Sequence, residues 1–496
     1  MSDVTRRGIS ILAAALALGT LGDALLRAWP WGLNLAVWVA ALVIVTIALS
    51  RLTADGAAAN ASDRVMVIPV LFFATAVAWR DSTVLLCLNL LALGVSLSLI
   101  PLYSKSERLV RASLLDYSFG TMMVWLSTSI GPLVLALDDI HWSEIKGTGR
   151  FAQAPAVVRG IILAVPPLLV FGALFVSADA AFDRLVRTII RIDVDAMIIH
   201  GTIIVAIAWL VAGWARHMLH EQAWDNPASR LESPFGLGMV EMGIVLGALD
   251  LLFFAFIVIQ VGYLFGGATF VEASRDFTYA EYARRGFFEL VWVAALSLSF
   301  LLLARWVARP TSTRGEHGFV TLTIVFIGLL YVIMISALSR MALYTSLFGL
   351  TELRLYPTAF MGWLAVVFAW FVATALRGKP QHFAIGALVA GFVTIGVLNA
   401  INPDGLIVRT NFGRVGAPQP LDTGYLSSLS SDAVPALLEG LPTLPAPEQQ
   451  RLRTIMATRW LATEPDWRTL NWSRGRAAAA LKIEPATNAA YRQENS

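Results

Sequence analysis

"LGMVEMGIVLGALDLLFFAFIVIQVGYLF", residues 237–265, is the stretch that decides the fold. A helix needs about 20 predominantly apolar residues to cross the hydrocarbon core of a bilayer. This run exceeds that length and carries a carboxylate, Asp250, near its middle. Similar runs recur along most of the chain. Of its 496 residues, 57% are hydrophobic and 14% charged, with a mean hydropathy of +0.69, which excludes a water-soluble globular protein. About twelve spans are expected, at 9–28, 31–50, 65–79, 82–103, 112–137, 156–176, 198–215, 237–265, 287–304, 318–338, 358–376 and 383–401. The third is short, and the fifth and eighth are long. The fold class is therefore all-α: a polytopic helical membrane bundle over residues 1–401, followed by a small soluble helical region over 402–496.

The net charge of +3 and pI near 9.1 do not mark a nucleic-acid binder, because the basic residues sit between apolar runs instead of along one patch. They read as topology markers. Arg6 and Arg7 before the first span favour a cytoplasmic N-terminus, and Lys105, Arg108 and Arg111 fall on that side, whereas Arg305, Arg309 and Arg314 fall on the other. An even span count puts the C-terminus on the cytoplasmic side too. The N-terminal "TRRGIS" echoes a twin-arginine export signal, but a retained first helix is the simpler reading in a chain of many spans. A single cysteine, Cys87, allows neither an intrachain disulfide nor a cysteine-based metal site.

From residue 402 the chain turns polar, with Gly and Pro as turn residues. "LDTGYLSSLSSDAVPALLEGL" and "PEQQRLRTIMATRWLA" then show apolar residues at helical spacing. Trp460, Trp467 and Trp472 suit either a small core or the membrane surface, where indole is favoured.

Catalytic devices are missing. There is no phosphate loop, no "HExxH" and no "GxSxG", and "GTGRFA" follows a span instead of a strand. His217, His220 and Glu221 in "HMLHE" read as a polar helix end more readily than as a metal site. No cofactor or metal is expected.

Charges concentrate at span ends. In "DFTYAEYARRGFFEL", residues 276–290, Glu281, Arg285 and Glu289 share a helical stripe, and Thr278 with Glu281 forms a capping box. Tyr279 and Tyr282 suit the headgroup level, and Arg284 adds a further charge. The stretch reads as an amphipathic helix start or as part of a site. Three other junctions are similar: "SADAAFDRLVRTIIRID" with Asp179, "TELRLYPTAF" with Glu352 and Arg354, and "NPDGLIVRTN". All four follow even-numbered spans, so counting places them on one face, the face of the N-terminus. Either they converge as a site or they are the polar loops any bundle needs.

Within spans, Asp250 is the outstanding polar residue, with Asp116 and Gln260 nearer the ends. A charged Asp at the bilayer centre costs about 2.5–3.5 kcal/mol on insertion scales, so it should face a partner or water. It suits a proton or substrate role, or helix–helix hydrogen bonding. Gly243 to Gly247 and Gly262 to Gly266 have "GxxxG" spacing, which permits close helix approach.

"FGALFVSADAAF", "YAEYARRGFFEL", "TELRLYPTAF" and "NPDGLIVRTN" followed by "LDTGYLSSLSSDAVPAL" resemble the landmarks of a bacterial integral-membrane family, domain of unknown function 4173, related to family 4153. The resemblance runs from the first helices to about residue 440. It implies a multi-span bundle with a short soluble tail in the bacterial inner membrane, and no assigned activity. Three functions fit: a transporter- or flippase-like protein, a signalling or scaffold protein whose C-terminal region docks a protein partner, or a membrane-embedded enzyme acting on a lipid-linked substrate. Membrane lipid is the expected partner in each case, and nucleic acid is not.

Overall fold

The computed structural model describes residues 2–53, 61–105, 114–144, 194–220, 238–265, 286–308, 313–414, 421–460 and 466–483, with isolated positions between 157 and 179. Among these residues the chain is helical. Ordered from the N-terminus, the bundle helices are α1 (Asp3–Leu26), α2 (Leu33–Thr53), α3 (Ala61–Trp79), α4 (Thr83–Lys105), α5 (Leu114–Val134) and α6 (Val194–His220). They continue as α7 (Met239–Phe265), α8 (Phe287–Val307), α9 (Thr313–Phe348), α10 (Glu352–Thr374) and α11 (Phe383–Ile401). Apolar side chains on nearly every face leave the backbone no solvent partner, so each segment closes its hydrogen bonds internally as a helix.

Among the described residues, ten helices are long and apolar enough to cross a membrane. Twelve spans were expected. The apolar part of α3 is confined to Val65–Trp79, and more than half of the expected span at 156–176 lies outside the described residues. At 36 residues, α9 is the longest helix among the described residues. At 1.5 Å per residue it extends about 54 Å, well beyond a hydrocarbon core of about 30 Å.

Two apolar cores divide the bundle. One is built by α1 to α6 around Ile11, Val39, Phe73, Leu99 and Leu135. The other is built by α7 to α10 around Leu246, Leu301, Phe326, Phe368 and Phe371. Helix α11 lies between them: Ala384 and Phe392 pack on the first core, and Phe383 and Ala387 on the second. Close approach occurs where glycines face backbone. A Cβ on Gly213 of α6 would lie 2.0 Å from the Thr128 carbonyl oxygen of α5. The "GxxxG" at Gly243 and Gly247 does not do this: a Cβ on Gly247 would meet nothing within 4 Å, and one on Gly243 only Leu322 at 3.9 Å. Spacing alone does not say which way a helix face points.

After α11, Asn402 turns the chain at φ +59°, and its side chain accepts from the Gly405 N–H to start α12 (Pro403–Phe412). Then follow α13 (Thr423–Ser428), α14 (Val434–Gly440), α15 (Ala446–Trp460) and α16 (Trp472–Ile483). Their core is aliphatic, with Ile407, Val434, Leu437, Leu452 and Leu481 buried. Trp460 packs on its edge, while Trp467 and Trp472 are exposed.

This region caps one end of the bundle. The Leu33 N–H donates to the Leu470 carbonyl at 2.8 Å, Arg474 Nη2 to the Trp31 carbonyl at 2.8 Å, and Asn471 Nδ2 to the carbonyls of Val77 and Arg80 at 2.9 Å. It therefore sits on the α1–α2 and α3–α4 turns. Ser2 lies at the other end of α1, where its N–H donates to Glu144 at 2.5 Å and Thr5 meets His141. We call these the far face and the near face. The region 421–483 and the N-terminus thus lie at opposite ends of α1, whereas the span count expects them on one face. A single miscounted crossing inverts every face downstream of it.

Candidate functional site

Polar groups converge at the far face, where the α3–α4 turn, the start of α10, the α11–α12 junction and the Ser427–Asp432 segment meet. Only three residues, Arg80, Asp81 and Ser82, join α3 to α4. The short turn aims the Arg80 side chain at the end of α11, where Nε donates to the Asn399 carbonyl at 2.6 Å and Nη2 to the Ala400 carbonyl at 3.3 Å. Its Nη1 pairs with Asp432 at 3.1 Å, both side chains being buried. The other Asp432 oxygen accepts the N–H groups of Asp81 and Ser82 at 2.7 and 3.1 Å, and Ser473 donates to Asp432 as well. A buried ion pair persists only when its remaining hydrogen-bonding capacity is met, and here it is. Below it, Asn89 of α4 and Asn399 of α11 exchange side-chain hydrogen bonds at 3.0 and 2.8 Å.

Beside this network lies a chamber of about 350 Å³. Its walls include Trp29 and Trp31 from the α1–α2 turn, Arg80 and Asp81, Val84 and Leu86 of α4, Glu352, Asp404, Ser430 and Arg459. Asp404, only 1% exposed, accepts from the Ser430 N–H at 3.1 Å and the Ser430 hydroxyl at 2.5 Å through Oδ2, while Oδ1 has no hydrogen-bond partner. Burial pushes the Asp404 carboxyl up, and the neighbouring Asp432 and Asp81 carboxylates add to the shift against the lowering effect of Ser430. Burial also raises Asp81, opposed by Arg474 at 3.2 Å and by the Ser431 hydroxyl at 2.8 Å. Tyr356 adds a hydroxyl 3.3 Å from Ser82 Oγ. The arrangement can hold a polar or charged group against buried carboxylates at the edge of the apolar bundle.

The residues singled out in the sequence fall in different places. Glu352 lines the chamber, and its N–H donates to the Tyr425 hydroxyl at 2.9 Å. Arg354 instead caps α9: Nη1 donates to the carbonyls of Phe348 and Gly349, and the guanidinium stacks 4.2 Å from the Tyr344 ring. Glu289 and Asp179 are exposed, and Asp116 is half-buried on α5. Tyr279, Glu281, Tyr282, Arg284 and Arg285 lie outside the described residues, as does most of the junction after residue 179. Of the four junctions, the structure brings together two, those holding Glu352 and Asp404, and adds the α3–α4 turn to them.

Asp250 lies on the stripe of α7 that carries Leu246, Phe253 and Ile257 against the second core, and neither of its oxygens has a hydrogen-bond partner. Further along α7, Gln260 Oε1 accepts from Ser336 at 3.0 Å and Arg340 at 2.8 Å on α9. Arg80, Asp432 and Asp404 were not singled out in the sequence. "WRDST", four polar residues between two apolar runs, was the available signal for the first.

The model of the family Domain of unknown function (DUF4153) matches residues 67–440, well over half of the chain. The chain belongs to that family. The match covers Arg80, Asp81, Glu352, Asp404, Ser430 and Asp432, and leaves out the α1–α2 turn, Arg459 and Arg474. No curated protein and no solved structure matches the chain.

Proposed function

We propose that this member of the DUF4153 family takes an amphiphilic ligand, a lipid or lipid-linked molecule, into the far-face chamber from the adjacent leaflet. The observation that carries this reading is the chamber itself, with Asp404 buried in its wall and one oxygen unpartnered. Its depth in the bilayer follows from the tryptophans: Trp29, Trp467 and Trp472 are 65%, 57% and 64% exposed around the turns that the C-terminal region caps. Indole concentrates at the headgroup level, so this rim sits at the interface and the mouth of the chamber faces headgroups. The same aromatics account for the exposed apolar surface of the C-terminal region without a protein partner.

Orientation follows from the cations. Described ends on the near face carry Arg6, Arg7, Arg51, Arg216, Arg305, Arg314, Arg377 and Lys379, a modest excess over the far-face ends, which carry Arg27, Arg80, Arg340, Arg354, Arg409 and Arg414. Positive residues near span ends stay cytoplasmic. The near face is then cytoplasmic, and the chamber and residues 421–483 face outward; in a bacterial inner membrane that is the periplasmic side. Arg305 and Arg314, misfits under a twelve-span count, join the majority.

The residues around the chamber favour the reading as a membrane-embedded protein acting on, or carrying, a lipid-linked substrate. Asp250 supports a second reading, a transporter in which a carboxylate within the bundle takes up a proton or substrate.

The first reading is tested with a diazirine-bearing phospholipid in nanodiscs containing the full chain. Crosslinks are expected at residues 79–86 and 428–430, and Val84→Trp, which fills the chamber, should abolish them. Crosslinks confined to the lipid-facing sides of the helices, indifferent to Val84→Trp, would reject it.

A further inference from the structure

Resting on the chamber being a ligand site, we propose that the group it recognises is a primary ammonium, held between Asp404 and Glu352. The charges in the wall are otherwise spoken for. Arg80 pairs with Asp432, and Arg474 pairs with Asp81. Arg459 Nη1 donates to the carbonyls of Ser427, Ser428 and Leu429 at 3.0 to 3.1 Å. Glu352 and Asp404 both line the chamber and are left without an ion-pair partner among the described residues, with Glu352 in the field of the Asp404 carboxylate. One Asp404 oxygen accepts nothing. A buried carboxylate in this condition is satisfied by a donor that also brings positive charge. An ammonium has three donors and no acceptor, so it can serve both carboxylates and leave one N–H for a neighbouring hydroxyl such as Ser430.

A metal ion fits less well. No group of three or more His, Cys, Asp or Glu placed to hold one occurs among the described residues. Two carboxylates, one of them already accepting two hydrogen bonds, fall short of the six or more oxygen ligands that calcium or magnesium takes. The ammonium can belong to an aminophospholipid headgroup or to a free amine. The chemistry at the carboxylates is the same.

The test compares phosphatidylethanolamine with its N-acetylated analogue, whose nitrogen is uncharged, as ligands of the full chain by native mass spectrometry. The amine lipid is expected to be retained about tenfold better, and Asp404→Asn and Glu352→Gln should each remove most of that preference. Asp404→Asn should melt no lower than the parent, which separates loss of a ligand group from loss of fold. Displacement of the amine lipid by millimolar ethanolamine would support the ammonium site and identify a free amine as sufficient. Equal retention of both lipids, with Val84→Trp still displacing them, would overturn the ammonium assignment and leave the chamber standing. Retention indifferent to Val84→Trp would overturn the chamber itself.

Discussion

Arg80 joins three parts of the chain at once: the α3–α4 turn that carries it, the end of α11 through two carbonyls, and the C-terminal cap through Asp432. Removing one member of a buried pair strands the other, at a cost of about 3–5 kcal/mol. Arg80→Ala and Asp432→Ala should each lower the melting temperature of the detergent-solubilised protein sharply. The double variant should cost clearly less than the sum, as a double-mutant cycle will show. Asp404 and Asp81 act through pH. Both carboxyls are raised above 3.8, so the folded state holds protons that the unfolded chain has released. Their contribution is present below about pH 3.8 and is lost as pH rises through the raised values. Stability without ligand should therefore fall over that window, and Asp404→Asn should flatten the slope in pH-dependent melts. Little of this was legible in the sequence. Glu352 stood out because charges are rare there, but Asp432 lies in "SSLSSDAV", an ordinary helix start until Arg80 meets it. A pairing across 352 residues leaves no local pattern.

Secondary elements were the most legible level. Composition and run length locate α7, α8 and α11 within a few residues, because an apolar run of that length has no other way to satisfy its backbone in lipid. The failure came where a pattern needed a direction. "GxxxG" spacing singled out Gly247, whose Cβ would meet open space, while Gly213 presses against α5 with no motif to mark it. Gly213→Ala should cost about 1–3 kcal/mol, since the new methyl meets backbone that cannot move aside. Gly247→Ala should be neutral or slightly stabilising, as alanine is the better helix former. Thermal melts of the two variants decide between the motif and the contact. The length of α9 is also informative. Its end reaches the cap, where the Leu350 N–H and carbonyl are both bonded by the Asn411 side chain at 2.9 and 2.8 Å. The helix therefore ties the second half of the bundle to the cap.

At the scale of the whole molecule, the cap organises everything on the far face: it closes two turns of the first half of the bundle, buries Arg80 and forms one wall of the chamber. Counting spans placed this region with the N-terminus. The contacts of Arg474 with Trp31 and of Leu470 with Leu33 place it at the other end of α1. Three single cysteines in a Cys87→Ala background test this most directly: Asp3→Cys and Glu316→Cys on the near face, and Gln450→Cys in the cap, all at exposed positions. Intact cells are treated with a membrane-impermeant maleimide, before and after lysis. An outward-facing cap requires that Gln450→Cys is labelled in intact cells, while Asp3→Cys and Glu316→Cys react only after lysis. Labelling of Gln450→Cys on the same side as the other two would contradict it.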